Sequence, residues 1–209
     1  MQHVKVYESF SEEKTYSFEE LSPQAQAKAI EDHRDINVDT DWYSTIIDEC
    51  TEDLEDEGFK DIEIMFNGFY SQGDGASFTG WIPSDNMWRF VNEILGFKYP
   101  PTVLECLTIQ VERNHSRYYH ENSVDIEVDY DSTEDVIEDF PFGMEVPFTY
   151  RLKDIVEDVD KKATEWVKSR CREIYNKLEE EYDALQEDES VKDTLLANDY
   201  EFDEEGNII

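Results

Sequence analysis

Apolar residues fall along the chain in runs of two distinct periods, and the switches between them divide it into elements. Val4 and Val6 alternate with polar neighbours and predict a first strand, and Tyr16–Leu21 reads as a turn leading into a helix. Ser22 followed by Pro23 is an N-cap and first helical residue, so a helix carrying Ala25, Ala29 and Ile30 should run to about Arg34. A second helix should open after Asp39 or Thr40. Trp42, Ile46, Cys50 and Leu54 recur every fourth residue there, Tyr43 and Ile47 widen the stripe, and Gly58 closes it.

The period then drops to two. Ile62, Ile64 and Phe66 alternate with Glu63 and Met65, Gly68–Gly75 breaks the run, and Ala76, Phe78 and Trp81 resume it, which predicts a β-hairpin whose turn is Gln72–Gly75, where Asp-Gly supplies the positive φ such turns need. Pro83 ends the strand and Ser84 caps a helix whose buried side holds Met87, Phe90, Val91, Ile94 and Leu95, closed by Gly96; Pro100-Pro101 marks a loop. Leu107, Ile109 and Val111 pair in expectation with Val124, Ile126, Val128 and Tyr130 as a second hairpin joined through Asn114–Asn122. Pro141, Gly143 and Pro147 make the next stretch irregular. From Leu152 through Ile155, Val159, Ala163, Trp166, Val167, Cys171, Ile174, Leu178 and Tyr182 to Leu185, helical spacing holds without interruption. A short helix near Val191–Leu196, an extended piece at Tyr200 and Phe202 and a turn at Glu205-Gly206-Asn207 finish the chain. These elements predict an α+β domain: antiparallel hairpins packed against helices, with residues 1–150 as the acidic core and 151–209 as a long helix and arm of the same domain.

Composition alters that picture chiefly through charge. The 209 residues hold 53 acids and 18 bases, a net charge of −35, alongside 13% aromatic residues, enough large apolar surface for a packed core. Direct binding to nucleic acid or to an anionic membrane is disfavoured, because both reward Lys and Arg. The three cysteines, Cys50, Cys106 and Cys171, are distant and lack a paired motif, so free thiols are expected. With no apolar run of signal or spanning length, the protein is expected to be soluble and cytoplasmic.

Candidate chemistry is sparse. His33-Arg34-Asp35 resembles a kinase catalytic loop, but position 40 is Thr40 where a metal-binding Asn is needed. Gly73, Gly75 and Gly80 match neither phosphate-cradling fingerprint. Asp125, Glu127, Asp129 and Asp131 lack the glycine and terminal Glu of a calcium loop. His115 and His120, with Arg113 and Arg117, have no zinc spacing and are expected to pair with neighbouring carboxylates. No catalytic residue, metal ligand or cofactor is therefore assigned.

The arrangement of the acids is more informative. Asp39 to Glu63 holds eleven acids against Lys60 alone, and Glu121 to Asp139 holds nine acids and no base, while eight of the eighteen bases lie between Arg151 and Lys177. On the second helix Asp48, Glu49, Glu52, Asp53 and Asp56 should lie opposite the apolar stripe, repelling one another at i,i+3 and i,i+4. On the predicted strand Asp125, Glu127 and Asp129 should project from one face at intervals of about 6.8 Å. These two rows are the candidate partner-binding residues. Acidity that serves solubility or adaptation to high salt is the competing reading and stays open; it would make every face acidic and Lys scarce throughout, whereas the bases here are unevenly placed.

Tyr16–Ala25, Gly68–Phe78 with its Ser-Gln-Gly-Asp-Gly element, and Ala197–Gly206 resemble a family of small acidic proteins of tailed bacteriophages and prophages. The resemblance implies a phage origin and transfers no reaction or catalytic residue. Combined with the acidic rows, it leads to one expected function: a non-enzymatic, DNA-mimic-like decoy that inhibits a basic nucleic-acid-binding defence protein of the host, such as a restriction or CRISPR nuclease. Two other classes stay open. One is a small ligand-binding protein or enzyme with its site at Ser71–Ser77; the other is a structural or assembly factor forming homo-oligomers through the long helix.

Overall fold

A computed structural model describes residues 14–130 and 148–209. The strand expected at Val4 and Val6, and the irregular stretch at Pro141–Pro147, lie outside the described residues. The protein is α+β, as the pattern of periods predicts.

The chain divides into two compact units. One is assembled from both ends, residues 1–42 and 181–209, and the other is residues 43–180. The long helix contributes to both units.

In the unit built from the two ends, a 3-10 turn at Phe18–Glu20 leads into helix α1, Pro23–Asp32. Glu20 accepts from the Ser17 amide at 3.0 Å, and Ser22 Oγ accepts from the Ala25 amide at 3.2 Å, so the turn and the helix each begin at a cap, the second of them the one expected from the sequence. Phe18, Leu21, Ala25 and Ala29 pack with Phe202 near the C-terminus and with Val191 and Leu195. Backbone bonds tie Tyr16 to Phe202 in both directions, at 2.9 and 2.8 Å. His33, at the end of α1, places Nδ1 2.8 Å from the Ala29 carbonyl oxygen, while Arg34 bonds Glu31 and Asp188, so the His33-Arg34-Asp35 triplet closes a helix.

The unit of residues 43–180 is a four-stranded antiparallel sheet with helices on one face. Helix α2 spans Ser44–Asp56, and the strands β1 (Lys60–Asn67), β2 (Gly75–Ile82), β3 (Leu107–Arg113) and β4 (Val124–Tyr130) lie in sequence order. The two expected hairpins are both present. They are fused into one sheet by pairing of Gly80, Trp81 and Ile82 with Val111, Gln110 and Ile109. Between β2 and β3 the chain forms α3 (Ser84–Arg89), a π-helical turn at Phe90–Ile94 and a single turn, α4, at Pro101–Leu104. Two local expectations are corrected. Ser84 is the first residue of α3, capped by Pro83, and α4 occupies part of the stretch read as a loop.

The long helix α5 runs from Phe148 to Leu185, with α6, Asp188–Ala197, after it. Val159, Ala163, Val167, Cys171, Ile174 and Leu178 are buried, three or four residues apart, as a stripe facing a sheet requires. Trp166 stacks on Phe59 at 5.7 Å between centroids and meets Phe90 edge-on at 5.1 Å. Phe78, Ile82, Leu107, Ile109 and Val111 supply the sheet's side of this core.

Strict alternation fixes what the opposite face carries. Since Phe78 and Ile82 point to the core, Thr79 and Trp81 point away from it, although Trp81 belongs with Ala76 and Phe78 to one apolar run of the sequence. Trp42 is likewise displaced from the α2 stripe. The helix begins only at Ser44, and Trp42 packs its ring against Tyr182, 5.6 Å away in the unit built from the two ends.

Candidate functional site

Every carboxylate expected from the sequence to bind a partner lies in the unit of residues 43–180, and all are exposed. The two rows sit in different places. Helix α2 packs beside β1, at one edge of the sheet, while Asp125, Glu127 and Asp129 project from β4, at the other.

The acids of α2 split into two flanks. Asp53 receives Lys177 Nζ at 3.2 Å, and the partly buried Glu57 is clasped by Arg170, whose Nε donates to Oε2 at 3.3 Å; both cations come from α5. Burial raises the Glu57 carboxyl above its ordinary value, and Arg170 opposes that shift. Asp53 therefore departs from the bare row expected for it. On the other flank Asp48, Glu49, Glu52 and Asp56, joined by Glu55, have no cationic partner among the described residues.

The β4 row is equally bare among the described residues, and it is broader than the sequence suggests. Cross-strand register sets Asp125 opposite Glu112, Glu127 opposite Gln110 and Asp129 opposite Thr108. Glu112 and Asp125, like charges directly across a strand pair, cost stability where a Lys or Thr would not. The acids of β4 line an edge strand, where charge also deters edge-to-edge pairing. Glu112, on an inner strand, gains nothing from that protection.

The Ser71–Ser77 segment has a local structural explanation. Asp74 Oδ2 accepts from the Ser71 amide at 2.6 Å, Asn67 Nδ2 donates to the Gly73 carbonyl at 3.0 Å, and Gly73 adopts φ +94°. The loop between β3 and β4 lies against this turn. The Tyr119 amide donates to Asn67 Oδ1 at 2.8 Å and the Tyr118 ring rests over Gly73, so the chain's own packing makes use of this glycine. Gly75 is required by that approach. A Cβ there would lie 2.6 Å from His120 Cβ and 2.9 Å from the Tyr119 carbonyl oxygen. Gly75→Ala is accordingly expected to lower stability by about 2 kcal/mol, read as a lower urea midpoint at unchanged slope.

Arg113, at the end of β3, and His120 in the loop after it make no ion pair with a neighbouring carboxylate among the described residues. Arg113 lies 4.4 Å from the Tyr119 ring centroid, and His120 Nδ1 accepts from the Asn122 amide at 3.0 Å. Among the described residues no group of three or more His, Cys, Asp or Glu is placed to hold a metal ion. The three cysteines form no disulfide among the described residues, and burial pushes the Cys171 thiol up to about 11, away from nucleophilic reactivity. Among the described residues no helix is long and apolar enough to cross a membrane.

These features define an α+β protein whose distinguishing surface is carboxylate held on ordered helix and strand without a cation opposite it among the described residues. The chain belongs to a domain family of unknown function, DUF8835, whose model matches residues 24–188. No curated protein and no solved structure matches it.

Proposed function

We propose that the protein is an acidic decoy of phage origin that binds a basic, nucleic-acid-handling host protein in place of its nucleic acid, by contact alone and without catalysis. One observation carries this reading. The cations of α5 neutralise one flank of α2, at Asp53 and Glu57, while the outer flank and the β4 row remain free of any cation among the described residues. A fold selected only for stability gains from interspersing Lys on α2 and from breaking the Glu112–Asp125 pair. Leaving both in place keeps a strong, fixed negative field, which speeds encounter with a cationic groove and opposes phosphate for the same site.

The test is competition. A restriction endonuclease or CRISPR effector is loaded with duplex DNA and titrated with the full chain at about 50 and about 200 mM salt. Displacement should be strong at the lower salt, fall at least tenfold at the higher, and vanish when Asp48, Glu52 and Asp56, or Asp125, Glu127 and Asp129, are changed together to Lys. Displacement indifferent to salt and to both reversals would remove the proposal.

A further inference from the structure

The sheet face turned away from the helices carries more than charge. Register aligns Lys60, Trp81, Gln110 and Glu127 in one line across all four strands. Trp81, half-buried in the middle of that face, borders an open hollow lined by Gly80, Gln110, Val111 and Glu112. Glu63, Glu112, Asp125, Glu127 and Asp129 are exposed around it. A tryptophan held in a ring of carboxylates offers a cation both an aromatic platform and counter-charge.

The indole is held in place. A bulge in β1 between Lys60 and Glu63 puts Asp61 at φ +52°, a conformation uncommon outside glycine, and from there Asp61 Oδ2 accepts the Trp81 Nε1–H at 2.7 Å. Strain of this kind persists where the surroundings enforce it, and here it fixes the rotation of one exposed-face ring. The chain's own lysine already shows which chemistry the ring accepts: Lys60 Nζ lies 5.8 Å from the Trp81 ring centroid, at the outer limit of a cation–π contact.

We infer that this face is where the protein reads its partner, and that the occupant is an arginine side chain from a basic segment of that partner, stacked on Trp81 with its guanidinium bonded by the surrounding carboxylates. The inference rests on the decoy reading above and names the face and residue type through which it acts. Charge complementarity selects a cation. The flat, weakly hydrated guanidinium can stack on the indole and still bond Glu112 or Glu127 edge-on, which a compact ammonium cannot do as well, so arginine is favoured over lysine. The outer flank of α2 has no comparable aromatic centre and would add steering rather than an anchor.

The test uses the full chain and two peptides of equal length and charge, one with arginine and one with lysine as its only cation, titrated by calorimetry. The arginine peptide should bind about two- to fivefold more tightly. Trp81→Ala should abolish that preference while leaving the lysine peptide nearly unchanged, and Asp61→Asn should reduce it. Should Trp81→Ala disturb the sheet, the unaltered chain provides the readout: of the four indole Nε1–H resonances, the one belonging to Trp81 must shift in step with binding of the arginine peptide. Equal affinity for the two peptides, a preference that survives Trp81→Ala, or an unmoved Trp81 resonance would each overturn the inference. If charge reversal on α2 weakens both peptides while Trp81→Ala does nothing, the decoy reading stands and this one falls; if neither peptide binds, both fall.

Discussion

Arg170→Met should destabilise the unit of residues 43–180 by about 3 kcal/mol at neutral pH, the largest loss expected from any single side chain outside the apolar core. The guanidinium bonds Glu57, which caps the C-terminus of α2, and also Glu173, at 2.8 Å, within α5. The side chains of Arg170 and Glu57 are only 22% and 19% exposed, so removing the cation leaves a carboxylate short of water and without its partner. The methionine keeps most of the stem that packs beside Trp166, over whose ring the guanidinium lies at 5.6 Å, so the loss reports the charge more than the packing.

The sign of the pH dependence follows from Glu57. Its folded-state carboxyl is raised above the ordinary value by burial, so between the unfolded and folded values the native state holds a proton that the unfolded chain has released. Stability from this group therefore falls as pH rises through that window. In Arg170→Met the folded value climbs further, the penalty is complete above it, and the difference from the parent chain should fade as pH drops toward about 4.3, the unfolded value. Urea unfolding at several pH values measures this. Glu57→Gln combined with Arg170→Met should recover most of the loss, because a neutral amide is much cheaper to leave half-buried than a charge. A loss that is flat with pH, or not recovered in the double variant, would place the stabilisation elsewhere.

The same pair shows what a linear reading can and cannot deliver. The long helix is legible because its apolar residues keep one period from Leu152 to Leu185, and β4 is legible because Val124, Ile126 and Val128 alternate with acids. Position on the outer face follows from alternation alone, and so the exposure of Asp125, Glu127 and Asp129 is foreseeable. What neighbours that face depends on register between strands, and no local pattern states that Trp81 stands beside Gln110, 29 residues on, or that Glu112 faces Asp125 across the second hairpin. The division of α2 into a neutralised and a bare flank is hidden for the same reason, since Lys177 and Arg170 lie more than a hundred residues beyond their partners. The apolar ring of Trp81 suggests the core face, but Ala76, Phe78 and Trp81 break parity, and in the strand parity outweighs apolar character. Gly75 reads as a turn glycine, while the stronger constraint on it is the approach of Tyr119 and His120 from another loop. The unit that joins residues 1–42 to 181–209 is invisible in any window of sequence, although its cap at Ser22 is plain.

Glu52→Lys separates acidity that serves binding from acidity that serves solubility, since it should make the protein more stable and less active at once. Glu52 is exposed on α2 with Asp48 and Asp56 four residues away on either side and Glu49 and Glu55 three away, so it contributes to four like-charge contacts. A lysine there converts each repulsion into an attraction, and after screening the helix should gain about 1–2 kcal/mol. Thermal or urea unfolding at low salt would show the gain, and it should shrink at high salt. If the acidic face were there for solubility alone, the substitution would stabilise the fold and leave partner competition unchanged. On the decoy reading the new cation lies in the field the partner's groove follows, so affinity at low salt should fall roughly tenfold, mostly through slower association. A stabilised variant that still displaces DNA as well as the parent chain would remove α2 from the binding surface and leave the sheet face around Trp81 as its sole remaining candidate.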